Sequence, residues 1–191
     1  EASGDGARPK AVAAERRRPA GNRDVRSASG VAHVDGGNVE GLLDGADLML
    51  DGADNVALRM SVNEACVRMG IPWVHGGILG TTGLQFTILP GHTACYECLI
   101  DEEPESGSTP TTVTHGVLAS IVAVVAGIQV AEGIKILTGQ TKALRETLLA
   151  IDLWTNRWSE IHVPRRTQGD GCPVCVQRRF ERLEAGQAPS A

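Results

Sequence analysis

Aromatic residues are scarce in this chain, with three Trp, two Phe and one Tyr among 191 residues. A core must therefore be built from Ala, Val, Ile and Leu. Hydrophobic residues at 42% supply enough for one domain, or one and a small second. Excess positive charge is missing too. The formal net charge is −5, which argues against nucleic acid as the main partner. Basic residues do gather at 15–26 and 164–182, and both runs read as solvated faces or frayed segments. The chain opens on "EASGDGARPK", with neither an initiator Met nor the apolar block of a signal peptide. A fragment or processed chain in the cytoplasm is expected, and in that reducing compartment structural disulfides are not. No uninterrupted apolar run reaches the ~20 residues that a bilayer span needs. The longest candidate, "GVLASIVAVVAGIQVAEGIKIL" (116–137), runs into Gln129, Glu132 and Lys135, and reads as a buried small-residue helix rather than a membrane segment.

The patterns that are present point to an α/β fold. "PKAVAAERRR" (9–18) predicts a short helix with Pro9 at its start, and a weak strand is expected near Val31–Val34. "VEGLLDG" (39–45) suits one or two helical turns. "ADLMLD" (46–51) fits a strand buried on both faces. "NVALRMSVNEACVRMG" (55–70) follows as a helix capped by Asn55 and ended by Gly70, and "IPWVHGG" (71–77) is a second strand. Strand, helix, strand in this span is a βαβ unit, so a mostly parallel open sheet is predicted. "GLQFTILPG" (83–91) alternates as a half-exposed strand does, and "LLAIDLWTNRWSEIHV" (148–163) reads as an antiparallel hairpin turning at Thr155–Asn156.

Cysteine is sparse but patterned. "CYEC" holds Cys95 and Cys98, and "CPVC" holds Cys172 and Cys175. Two such knuckles offer four thiolates, which is what a closed tetrahedral zinc site needs, and the long separation would make the metal pin distant parts of the fold. The competing reading, a redox dithiol, places its pair at a helix N-terminus and needs no second pair. Cys66 sits mid-helix as a small core side chain. A closed four-thiolate site is structural and names no reaction.

"LMLDGADNVALR" (48–59) is where chemistry is expected, because ligands in open α/β sheets bind beyond the carboxyl ends of strands. Asp54 can hold Mg²⁺ on a nucleotide phosphate, or Asp54 and Asn55 can simply cap the next helix; the residues alone leave both open. "HGGILGTTG" (75–83) leads into a strand, not a helix. Its glycines therefore suit close backbone packing better than a phosphate loop.

These motifs, taken in order with "HGVLASIVAVVAGIQVAEGIKILTG" and "IDLWT", resemble the ThiF/MoeB/HesA family over roughly residues 9–180. That family is related to the ubiquitin-activating enzymes. The resemblance implies a Rossmann-like α/β domain, mostly parallel, with an antiparallel C-terminal extension and a structural zinc. It implies ATP- and Mg²⁺-dependent adenylation of the C-terminal Gly-Gly carboxylate of a ubiquitin-like sulfur carrier, as in molybdopterin, thiamine or cysteine biosynthesis. It also assigns roles: Lys10 in "ARPKA" to the ATP phosphates, Asp54 to Mg²⁺, Asn55 to the nucleotide, Arg59 to a structural or substrate-carboxylate role, and the four knuckle cysteines to Zn²⁺. Thr112 stands where some members carry a further cysteine, which favours adenylation alone.

The family's Gly-rich nucleotide loop is absent, so the chain is expected to be the carboxyl two-thirds of such an enzyme, one domain over 1–191 with 1–8 and 184–191 disordered. A homodimer is expected from the apolar long helix. Two further readings are a catalytically inactive carrier-binding partner and a zinc-stabilised scaffold.

Overall fold

The computed structural model describes residues 9–17, 24–100, 116–169 and 171–187. The chain divides into two compact units, Glu1–Val34 and Asp35–Ala191. In the first, α1 (Lys10–Arg17) begins after Pro9, whose carbonyl accepts the Ala13 amide at 3.1 Å. The Ser29 hydroxyl donates to Glu15 at 2.5 Å. Residues 31–34 form no strand, which corrects the sequence expectation. Residues 1–8 and Thr112 lie outside the described residues.

The second unit carries the sheet. Its elements run α2 (Val39–Leu43), β1 (Met49–Leu50), α3 (Val56–Met69), β2 (Trp73–Leu79), β3 (Thr82–Ile88), α4 (Tyr96–Leu99), α5 (Ala119–Leu137), β4 (Leu148–Asp152), β5 (Arg157–Ile161) and α6 (Glu181–Gln187). Strands lie in chain order, β1-β2-β3-β4-β5. Only β1 and β2 are parallel, joined through α3 as the βαβ pattern predicts; the other three ladders are antiparallel. Among the described residues the sheet is therefore mixed, not mostly parallel. The reason is connection length: a parallel pair needs a crossover, whereas β2 turns straight back through Gly80 and Thr81, and β4 and β5 form the expected hairpin.

Helix α3 has the ends its sequence predicts. The Asn55 side chain accepts the Leu58 amide at 2.8 Å, and Gly70 closes the helix at φ 75°. Every residue from Met60 to Val67 is buried. One of its polar residues, Glu64, accepts the Arg182 and Leu183 amides at 3.1 and 3.2 Å and so caps the first turn of α6. Helix α6 also runs through 184–187, part of the stretch expected to be disordered; 188–191 lie outside the described residues.

Helix α5 packs across β2 and β3. Ile121 and Val125 form a buried cluster with Leu149 and Ile151. A Cβ on Gly83 would come within 2.4 Å of Val125, and one on Gly76 within 2.7 Å of the Gln129 amide. These glycines are there for close approach, as their sequence context suggests. The outer face of α5 departs from expectation. The sheet covers only one side, leaving Val122, Val130, Ile134 and Leu137 exposed, Leu137 by 59%. By length and composition alone the helix would also suffice to cross a membrane.

Candidate functional site

The acidic turn lies where the sequence places it, at the carboxyl end of β1. Asp51 is buried and organises it. Asp51 Oδ1 accepts the Ala53 amide at 2.7 Å, closing an Asx turn. Asp51 Oδ2 accepts from His75 Nδ1 at 2.6 Å and from Arg59 Nε at 2.9 Å. Arg59 Nη2 donates to the carbonyls of Ala53 at 2.5 Å and Gly76 at 2.9 Å, joining turn and sheet. Burial disfavours the Asp51 carboxylate, but the His75 hydrogen bond, the neighbouring positive charge and the Ala53 amide outweigh it and hold Asp51 below the usual carboxylate range. Burial pushes His75 down, so its neutral ring donates from Nδ1.

Asp54 projects from this framed turn. It is exposed, and its carboxylate accepts the Asn55 side-chain amide at 3.1 Å. Asn55 is committed to its cap. The structure thus brings Asp54, Asn55 and Arg59 into one turn, with Arg59 facing inward and only 12% of its side chain exposed. Lys10 opens α1 in the first unit, and its side chain is not among those described.

The four knuckle cysteines converge, with their sulfurs all within 4.8 Å of one another. Cys95–Cys172 and Cys98–Cys175 are 3.6 Å apart, and Cys95–Cys98 4.0 Å. A tetrahedron with Zn–S bonds of about 2.3 Å has S···S edges of about 3.8 Å, so four thiolates at these separations suit a tetrahedral metal with small side-chain adjustment. Hydrogen bonds among the sulfurs draw Cys172 down to about 6 and Cys98 lower still, while pushing Cys95 and Cys175 up. Cys66 is fully buried away from the cluster, and burial raises its thiol to about 12.

Arginines from the second basic run brace the two knuckles. Arg165 donates to Gly91 O at 2.9 Å and Cys175 O at 2.8 Å, and Arg166 donates to Glu97 O. Arg178 donates to Val67 O at 2.9 Å, at the end of α3, and lies over the Phe180 ring. The run at 164–182 is therefore not simply a solvated or frayed face. Its signal lay in the position of Arg165 and Arg166, a few residues ahead of Cys172, not in its charge.

Sequence reasoning also passed over Asn63 and Tyr96. Asn63 is fully buried, accepts the Tyr96 amide at 2.9 Å and points Nδ2 at Cys95 Sγ, 3.7 Å away. The one legible hint is spacing, since Asn63 lies four residues beyond Arg59 on the same side of α3.

A mixed sheet with an Asp-anchored turn after its first strand and a four-cysteine centre beneath it defines a class, and comparison with known proteins identifies it. The chain belongs to the ThiF family, whose model matches residues 2–174. It is 39% identical over 172 residues to the sulfur carrier protein ThiS adenylyltransferase of Bacillus subtilis, covering 90% of this chain and 50% of that protein. It is 37% identical over 163 residues to the SAMP-activating enzyme E1 of Haloferax volcanii, covering 85% and 59%. The fold is similar to a crystal structure of E. coli MccB with succinimide, at a TM-score of 0.71 and 22% identity, covering 89% of this chain and 51% of that one. The chain thus spans about half the length of the curated relatives it matches.

Proposed function

We propose that this chain takes part in ATP-dependent adenylation of the C-terminal Gly-Gly carboxylate of a ubiquitin-like sulfur carrier. The observation that carries the reading is the Asp51–Asn55 turn, held rigid from below with Asp54 exposed, in a chain 39% identical to a ThiS adenylyltransferase. In this reaction a carboxylate oxygen attacks the α-phosphorus, the bond to the bridging oxygen breaks, and pyrophosphate leaves with its electron pair. The product acyl-adenylate has the leaving group that a carboxylate lacks. The protein's share is positioning two anions and offsetting phosphate charge.

Asp54 is the residue that would hold Mg²⁺, which supplies charge neutralisation at the phosphates when bound. Asn55 fixes the helix end beside it, and Lys10 is assigned to the phosphates. Arg59 is assigned to shaping the turn, because its described hydrogen bonds are all internal. Cys95, Cys98, Cys172 and Cys175 would hold a structural Zn²⁺. Their free thiols suit a reducing, cytoplasmic setting. The exposed apolar face of α5 supports a homodimer, and the net charge of −5 is against nucleic acid as the main partner.

A second reading, a carrier-binding partner without catalysis, is favoured by one observation: the Asn55 and Arg59 side chains are both taken up in internal hydrogen bonds that shape the turn. ATP–pyrophosphate exchange with a Gly-Gly-ended sulfur carrier separates the two. Exchange that is lost in Asp54→Asn supports adenylation. Binding of the carrier without exchange supports the second reading.

A further inference from the structure

We propose that the four-cysteine centre and the Asp51–Asn55 turn are coupled through Asn63, Tyr96 and His75, so that metal binding at the cysteines orders the turn that carries Asp54. The inference rests on reading the cysteines as a metal site.

The connection is continuous and buried. Asn63 Nδ2 donates to Cys95 Sγ at 3.7 Å, and the same side chain holds the Tyr96 amide through Oδ1. Tyr96 directly follows Cys95, so a knuckle fixed by metal also fixes this ring. The Tyr96 ring meets His75 edge-on at 5.0 Å and Trp73 at 5.4 Å, and Trp73 meets His75 at 5.6 Å. His75 then donates to Asp51, which anchors the Ala53 amide and the Arg59 guanidinium. Asn63, Trp73, His75 and Tyr96 are each at least 98% buried. A packed interior of this kind passes displacement on instead of absorbing it.

Besides its thiols, the first knuckle depends on distant partners, Asn63 at the Tyr96 amide and Arg166 at the Glu97 carbonyl. Helix α4 has four residues, far below the length at which a helix is stable alone, and its N-cap is Cys95, with no side-chain cap bond. A thiolate bound to metal is a better hydrogen-bond acceptor than a thiol, which strengthens the Asn63 contact in the loaded state. His75, Tyr96 and Asn63 are positioning residues. They reach the turn through Asp51, and Tyr96 also acts on Arg59 directly.

The test is amide hydrogen exchange over residues 51–56 in the full chain, zinc-loaded and chelator-stripped, with zinc per chain counted by native mass spectrometry. Zinc is expected to slow exchange in this turn about tenfold or more. His75→Leu should keep its zinc yet lose that response. His75→Asn, whose amide can donate to Asp51 in place of Nδ1, should restore most of it, which a role in bulk packing would not predict. Equal exchange in loaded and stripped chains that both remain folded by far-ultraviolet circular dichroism overturns the coupling, as does an intact zinc response in His75→Leu. If stripping unfolds the chain, zinc-loaded His75→Leu and Asn63→Leu decide. Faster exchange at 51–56 than in the loaded parent supports the coupling, and unchanged exchange overturns it. A chain that takes up no zinc overturns both the coupling and the metal reading. None of these readouts depends on AMP transfer, so a failed adenylation assay leaves the coupling standing.

Discussion

The Gln129 side-chain amide donates to the main-chain oxygens of both Asp51 and Val74 at 3.0 Å, pinning α5 across the one parallel seam of the sheet. Gln129→Leu keeps the size and removes both bonds, leaving two buried carbonyls without this partner. A loss of about 2 kcal/mol or more is expected in urea unfolding. Gly76→Ala should also destabilise, because its Cβ would meet the same amide at 2.7 Å. The double variant should then cost less than the sum of the singles, since the residues touch.

Asp54 and Asn55 are neighbours with separable jobs. Asn55→Ala removes the α3 cap and should cost about 1 kcal/mol in thermal unfolding. Asp54→Asn, at an exposed position, should change stability by less than about 0.5 kcal/mol. It should nevertheless weaken Mn²⁺ binding in the presence of ATP, measured by electron paramagnetic resonance. Unaltered Mn²⁺ affinity would remove Asp54 from the metal role.

The cysteines divide in the same way. Cys98→Ser should bring zinc content from about one per chain toward zero and lower the melting temperature, because three thiolates leave an open position in a site suited to four. Cys66→Ala should keep its zinc and lose only about 1 kcal/mol for the sulfur-sized void. Metal analysis beside melting curves reads both.

His75 predicts an acid-labile fold. Burial lowers its pKa when folded, so the folded state resists protonation while the unfolded chain accepts a proton below about 6.5. Its contribution is fully present above that value and is lost as pH falls toward the depressed folded pKa, at no more than about 1.4 kcal/mol per pH unit. Asp51, also depressed, acts in the same direction at lower pH. Release of a metal held by the four cysteines would add to acid unfolding, so the measurement is the difference between the parent and His75→Asn from pH 7 to 5. The variant should lose less stability over that range.

The α5 face tests the assembly. Val130→Glu and Ile134→Glu place charge on an exposed apolar surface and should barely change monomer stability. If that face joins two copies, sedimentation should show a dimer for the parent and a monomer for the variants. A parent that is already a monomer removes the dimer.

Much of this protein was legible in its residues because the signals are local. Asn55 before a helical run and Gly70 after it mark α3, since capping geometry involves only nearby backbone. Thr155–Asn156 marks the β4–β5 hairpin, where Asn156 takes φ 54°. Two CxxC spacings announce four convergent thiolates because each turn aims its own sulfur pair. What stayed hidden depends on contacts between distant segments. His75 looks like one more residue in an apolar strand until β1 lays Asp51 beside it, and Arg165 looks like surface charge until the chain returns it to Gly91 and Cys175. The same holds for the strand directions, which follow from how each connection closes, and for α5, whose composition fixed its helicity but not which side the sheet would cover. Sequence alone determined which residues could cap, turn and ligate. Only the tertiary structure decided which of them share a proton, a hydrogen bond or a buried face, because those depend on what the rest of the chain places opposite.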